Sequence, residues 1–404
     1  MKTFPTGHLS WTVCVAVAVA LACDLRTAAA QTLLLEPRVA TGAPSIQQWS
    51  FSDGLRSDSI MISSATQFAL PVAVSFVPAR DWRIGISGTY ARGSVSTAAG
   101  SVTGESGLDL SGLTDLKIRG VGRLLGERLW VTVGLNLPTG RSGLSESEVA
   151  AIRILGAPAL RLTTPVLGSG LGVIAGPVFT GRLGGWSVGL GLSVELRNGY
   201  TPLEFTLAGG SATVAEMDPA EAVHISLGVD RLVGSGKMAF LLVSDRYGTD
   251  AVTLSAPAGT IQSEYELGPS YGVRWLYRLT TQNVRDLQFE VNSRWRTEFS
   301  RGGAAVGGSA GSYIDAGVTA ALGSVGGLGW VLGGVLSRDS GLDLDDALHT
   351  AAMTSAQATV GVELALGRHT LQPFLRAGFG SFDTGGGGQS GRLFGAGVTL
   401  RTEW

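Results

Sequence analysis

A serine flanked by glycines is the first arrangement with the spacing for chemistry: Gly185-Trp186-Ser187-Val188-Gly189 matches G-x-S-x-G. A nucleophile elbow of that type needs a strand, a sharp turn and a helix. Here the motif sits inside a run of strict apolar–polar alternation, Trp186 to Arg197, which predicts one uninterrupted strand. In a chain holding 60 Gly the match is read as coincidence. The histidines beyond residue 30 are His224, His349 and His369. Nucleophilic catalysis asks for a His beside a Ser and a carboxylate, and only His224 and Ser226 share a strand face. Asp339, Asp343, Asp345 and Asp346 cluster closely enough to offer oxygens to Ca²⁺, but without the EF-hand spacing. These residues predict a protein that is not an enzyme and carries no cofactor or metal.

Charges spaced two apart carry more weight. Asp115, Lys117, Arg119 and Arg123 alternate with Leu116, Ile118 and Leu124. His224 and Asp230 lie opposite Val223, Ile225 and Val229, and Arg274 and Arg278 lie opposite Trp275 and Tyr277. The cleanest series runs from Asp286 to Glu298, where Asp286, Glu290, Arg294 and Arg296 oppose Leu287, Phe289, Val291 and Trp295. Glu363 and Arg376 extend the pattern towards the C-terminus. Successive side chains in a strand point to opposite faces, so each segment has one greasy and one charged side. The charged sides are candidate linings of a lumen. Two chemistries stand open: paired charges that brace and even fill the interior, or an Arg-lined path that attracts anionic groups. Cross-strand register decides between them, and residue spacing does not fix register.

The elements that would position these charges are segments of roughly 10–12 alternating residues, the signal of a transmembrane barrel strand. Tight turns fall near 78–80, 125–127, 182–184, 233–235, 281–284, 323–327 and 367–368. Longer polar or Gly-rich stretches lie near 93–111, 139–167, 198–221, 248–269, 299–310, 339–355 and 382–390, and are read as loops. Short turns at one end and long loops at the other suit an outer-membrane barrel with the long loops outside the cell. Within the loop at 139–167, Ser145-Glu146-Ser147-Glu148 before an apolar run predicts a short helix. The expected fold is all-β, a transmembrane antiparallel up-and-down barrel of about 16 strands (within about 12–18). Its first strand falls somewhere in 45–63. A soluble sandwich also alternates; the leader, the terminal strand and the turn–loop pattern favour the barrel.

Both ends of the chain support this. Lys2, the apolar run Trp11 to Ala22 and Ala28-Ala29-Ala30 form a signal peptide over 1–30, leaving 31–404 as a single barrel domain. The only cysteines, Cys14 and Cys23, fall before that cut, which excludes disulfide and thiolate–metal chemistry in the remainder. At the other end Phe394, Ala396, Val398, Leu400 and Trp404 alternate, and a terminal aromatic closing such a strand resembles the signature read by the barrel-assembly machinery. Trp82, Trp186 and Trp330 stand near short turns, where an interfacial aromatic girdle belongs, whereas Trp130 falls on the inner face. The formal net charge of −2 gives no footprint for nucleic acid. The expected location is the cell outer membrane. The expected partners are its lipid, the assembly machinery acting on the last strand, and a small-molecule solute.

Asp109 to Gly140 reads DLSGLTDLKIRGVGRLLGERLWVTVGLNLPTG. This resembles the outer-membrane family named after the MetA pathway of phenol degradation, whose members share a G-L-x-D strand followed by a strand ending in L-P-T-G. Gly112-Leu113-Thr114-Asp115 and Leu137-Pro138-Thr139-Gly140 stand at the matching places. Gly168-Ser169-Gly170 with Gly184-Gly185-Trp186 looks like that family's next hairpin, and Asp218-Pro219 through Asp230-Arg231 like the one after. The stretch Ser145–Leu162 looks like an insertion. The resemblance implies a barrel and passive or facilitated uptake of small compounds, aromatic or apolar ones included. The alternative is a non-transporting surface or structural barrel with a plugged lumen.

Overall fold

The computed structural model describes residues 39–403 except 58–59, 98–106, 126–127, 142, 158–159, 163–167, 207–211, 257–258, 282–283, 324–327, 341–351 and 384–387. The leader, Trp404, His349, Asp343, Asp345 and Asp346 therefore lie outside the described residues.

The chain begins with β1 (Val39–Gly42) and β2 (Ser45–Ser57), which share one wall position, then β3 (Ile60–Ala79) and β4 (Trp82–Thr97). β5 (Gly107–Leu113) and β6 (Leu116–Leu125) share the next position, followed by β7 (Leu129–Leu137) and the helix α1 (Glu146–Leu155). β8 (Gly172–Leu183) and β9 (Trp186–Arg197) lead to a hairpin of β10 (Tyr200–Thr206) and β11 (Ala212–Asp218). β12 (Ala222–Val233) and β13 (Gly236–Tyr247) lead to a second, β14 (Thr249–Ala256) and β15 (Gly259–Glu266). β16 (Ser270–Leu279) and β17 (Val284–Arg296) precede a third, formed by the short β18 (Ser300–Arg301) and β19 (Ala304–Ala305). The wall finishes with β20 (Gly311–Leu322), β21 (Leu328–Asp339), β22 (Ala352–Leu366), β23 (His369–Asp383) and β24 (Gly388–Glu403).

Every wall pair is antiparallel, and β24 returns to pair with β1 and β2, closing a barrel of 16 positions. Closure answers a solvent that offers no hydrogen bonds: in lipid a sheet edge would leave a row of N–H and C=O groups unsatisfied. Leu190, Leu227, Phe289, Val318, Leu332 and Leu375 stand exposed on the outer face, as the alternation predicts. No described helix is long and apolar enough to cross a membrane, so crossing rests with the strands. At the short-turn end, two-residue turns join Leu183 to Trp186, Val233 to Gly236 and Leu366 to His369. Each begins with a glycine at positive φ, at +59° for Gly184 and Gly234 and +65° for Gly367. That choice suits the type II′ turn that matches strand twist.

Two features depart from the sequence reading. Stretches 198–221, 248–269 and 299–310, expected as loops, contain a second sheet of six strands, β10, β11, β14, β15, β18 and β19. It carries the wall beyond the bend: Asp218↔Ala251 continues the register of Ala222↔Tyr247, and Tyr265↔Arg301 that of Ser270↔Arg296. Ala215, Met217, Val252, Leu254 and Ile261 share one face of this sheet, while β15, Gly-Thr-Ile-Gln-Ser-Glu-Tyr-Glu, is largely exposed.

The second departure is an apolar core inside the barrel. Trp49, Phe51 and Leu55 of β2 point inwards and pack with Val95, Leu108, Met353, Phe382 and Leu393 beneath Leu144, Ala151, Ile154, Leu155 and Leu160 of the long β7–β8 connection. Phe382 meets the Trp49 ring edge-on at 5.4 Å, with an interplanar angle of 86°. The predicted helix is the lid of this core. Ser145 caps it in a reciprocal box with Glu148, and Gly156 ends it.

Candidate functional site

The loop that enters the barrel is held at its root by one carboxylate. Asp115 follows the break between β5 and β6 and is 4% exposed. Its Oδ1 accepts from the Gly140 backbone N–H at 2.8 Å. Its Oδ2 accepts from Asn136 Nδ2 at 2.8 Å, the Ser169 N–H at 2.6 Å and Ser169 Oγ at 3.0 Å. The G-L-T-D, L-P-T-G and G-S-G motifs therefore meet at a single node, where the loop leaves and rejoins the wall. A Cβ on Gly140 would stand 2.5 Å from the Gly168 Cα, so the two arms touch only because neither has a side chain. Thr139 Oγ1 completes the node by accepting from the Leu116 N–H at 2.8 Å.

From this node the loop spans the interior. Trp49 Nε1 donates to the Leu160 carbonyl at 2.7 Å, fixing the returning arm against β2. The next residue, Arg161, adopts φ +51°, a left-handed conformation costly for a side chain with a Cβ. It reaches the opposite wall, where Nη1 donates to Asp315 Oδ2 at 3.3 Å and Nη2 lies 3.7 Å from Asp339. Its guanidinium also stacks over Tyr313, 4.7 Å from the ring centroid. Asp339, expected in a solvated loop, is a buried partner of this latch.

Glu148 gives the helix a titratable cap. Partial burial works to raise its pKa, but hydrogen bonds from the Ser145 N–H and hydroxyl and the charge of Arg141 outweigh that, holding it below the usual Glu value of 4.5. A carboxyl depressed on folding stabilises above its unfolded value, and that contribution disappears as pH falls through the lower folded value. Cleavage of the loop by pepsin should therefore accelerate as pH drops from about 5 to about 3, and Glu148→Gln should flatten the change. An identical pH profile in both proteins would remove the cap from the account.

The latch divides two cavities. The larger, about 410 Å³, is lined by Lys117, Arg119, Asn136, Glu195, His224, Asp245, Arg274, Arg294 and Tyr313, among others. His224 Nδ1 lies 2.8 Å from Asp245 Oδ1, while Asp245 also accepts from Ser270 Oγ at 3.0 Å and pairs with Arg294. Ser270 thus bonds the carboxylate and not the imidazole, whose Nε2 faces Glu195 at 3.5 Å. That order suits a structural charge network, not a Ser–His–Asp relay. Ser187 of the G-x-S-x-G motif lies on β9, one residue in from the Gly184-Gly185 turn, paired with Arg182 and Asp230, with no helix following it.

The smaller cavity, about 310 Å³, is lined by Gln47, Trp49, Leu160, Arg161, Gln288, Glu290, Asp315, Gln357, Arg376 and Leu393, among others. Asn292 lines both cavities. Arg274 pairs with Glu290 at 2.8 Å along the border. The remaining sequence candidates lie elsewhere. Arg123 pairs with Asp81, Asp230 with Lys237 at 3.2 Å, Arg278 with Asp286 at 2.7 Å and Glu363 with Arg285 at 2.7 Å, all near the short turns. Arg296 stands towards the long-loop end, opposite Ser270 and Gly311. Asp115 serves the loop root instead of an open surface. Phe394 is exposed on the outer face, and His369 meets Thr402 Oγ1 at 2.9 Å.

Sequence reasoning missed Arg161, Asp245, Asp315 and Trp49. Asp245 and Asp315 do occupy alternate positions with inner-face residues, so the period-2 rule could have found them; nothing in the sequence marks where a loop arginine will land.

No family model matches the chain, and no curated protein matches it. Solved structures similar to it include an outer-membrane channel from Pseudomonas putida F1, at 12% identity and TM-score 0.39, covering 92% of this chain and 97% of that one. The deltaS2 mutant of the TodX monoaromatic hydrocarbon channel gives 12% identity and TM-score 0.45, covering 92% of both chains. The toluene transporter TbuX of Ralstonia pickettii gives 10% and 0.40, covering 92% of this chain and 90% of that one.

Proposed function

We propose that the protein is an outer-membrane channel for passive or facilitated passage of small solutes, including compounds with an aromatic or apolar body. The observation that carries this reading is the pair of cavities, about 410 and 310 Å³, inside a closed barrel and meeting at Asn292. A purely structural barrel has no need to keep solute-sized spaces lined by paired charges and amides. Cavities of this size suit molecules near a single ring. The leader, the outward apolar face and the terminal strand support export, insertion by the assembly machinery and contact with outer-membrane lipid. The motifs shared with the phenol-degradation family support the same reading, since Asp115 ties them into the root of the loop that narrows the lumen.

One observation favours the alternative, a plugged barrel: the loop is packed dry against Trp49, Phe51 and Phe382 and latched through Arg161. Planar-bilayer recording of the refolded protein separates the two. The channel reading expects small, discrete conductance steps; a folded, inserted barrel that gives none would establish the plug.

A further inference from the structure

We infer that the smaller cavity holds a binding site for a small organic carboxylate, with Arg376 as its anion anchor. The argument starts from register. Across the inner wall Gln47, Gly395, Arg376, Thr359, Gly333 and Thr319 form one continuous cross-strand row. That row carries one cation and no carboxylate, and a glycine stands near the arginine on either side, leaving space at the wall.

The neighbouring carboxylates are already engaged. Glu290 holds Arg274 at 2.8 Å, Glu363 holds Arg285 at 2.7 Å and Asp315 holds Arg161 at 3.3 Å. Among the described residues Arg376 meets only the Thr359 hydroxyl, at 3.4 Å, and the Phe374 ring, at 6.0 Å from the centroid. A guanidinium at a lumenal cavity without its counter-ion is a half-built ion pair. Its planar fork matches a carboxylate in two parallel hydrogen bonds, which a point-charge ammonium cannot reproduce.

The same cavity supplies surface for a hydrocarbon body. Val335 lines it with its side chain open to the space, over a wall of buried Trp49, Leu160 and Leu393. Gln47 and Gln357 add amides that can satisfy the remaining carboxylate lone pairs. A charged head at Arg376 and an apolar contact at Val335 together describe a monocarboxylate with one ring or a short chain. This assignment deepens the channel reading, which it needs only to explain how the anion arrives.

Benzoate and its neutral isostere benzamide are the probes, titrated calorimetrically into the full-length refolded barrel in detergent. Wild type is expected to bind benzoate at least about tenfold more tightly than benzamide. Arg376→Gln should erase that preference, while Arg376→Lys should retain part of it. Gly317→Leu, which fills the cavity beside Val335 and leaves the arginine in place, should weaken both probes, so the test survives a misfolded arginine variant. Equal binding of the two probes by wild type, or unchanged benzoate binding in Arg376→Gln, overturns the site. Conductance steps without Arg376-dependent binding would reject the site and keep the channel. Arg376-dependent binding without steps would reject the channel and keep the site.

Discussion

Replacing residues 145–161 with a short Gly–Ser linker is expected to raise the rate at which proteoliposomes swell in arabinose by about an order of magnitude. A barrel of 16 strands is wide enough to leave an aqueous channel when nothing occupies it. What narrows this one is the β7–β8 loop, whose helix covers the apolar inner patch and whose Arg161 reaches the opposite wall. The excision exposes Trp49, Phe51 and Phe382 to water, so the barrel should also lose heat resistance. At roughly 1.5–3 kcal/mol per uncovered large side chain that loss is several kcal/mol, tolerable only because the wall ladder is untouched. Swelling that stays at the wild-type rate would place the constriction outside this loop.

Asp115→Ala is expected to have the largest effect of any single substitution. It removes the acceptor of four hydrogen bonds and leaves the Gly140 and Ser169 N–H groups short of a partner, while Asn136 Nδ2 keeps Ser169 Oγ and the Gly170 carbonyl. Each buried donor left without its acceptor costs about 1–3 kcal/mol. The readouts are the temperature at which the compact electrophoretic form disappears and the rate of proteolysis within 140–169, the first falling and the second rising. Asp115→Asn should be nearly as damaging, because its amide turns a donor towards donors. Ser169→Ala, which removes a single hydroxyl, should be mild. Equal stability for Asp115→Ala and wild type would show that other contacts hold the loop root.

Much of the wall was legible because lipid imposes a simple rule. Leu287, Phe289 and Val291 had to face out and Glu290, Asn292 and Arg294 in, so the period alone predicted the strand. The turns were legible because Gly-Gly, Gly-Ser and Gly-Arg between alternating runs have few other uses. Ser145 and Glu148 announced the helix through cap chemistry, which is local. Three things were not legible, each for a physical reason. β2 was hard to delimit because Trp49, Phe51 and Leu55 face inwards, so the polar-inside rule fails where the barrel's own loop replaces water. The hairpins above the wall are built of strands of only 2 to 8 residues set among Gly and Pro, too short for alternation to stand out from a loop. Arg161 finds Asp315 across 154 positions of sequence, a contact that no periodicity encodes. The lumen candidates illustrate the same limit: Arg123, Arg278 and Arg376 read alike in sequence, yet only register shows that two have carboxylate partners and the third, among the described residues, has none.

The most direct test of the channel itself is solute-dependent swelling of liposomes carrying the wild-type barrel, with a folded, heat-modifiable band confirming insertion. The cavities and the loop between them predict measurable swelling with solutes the size of benzoate or arabinose. They also predict a steep fall for disaccharides, with benzoate slowed or favoured relative to benzamide. Absence of swelling with every solute, from a barrel shown to be folded, would contradict the channel and leave a plugged structural barrel as the function to pursue.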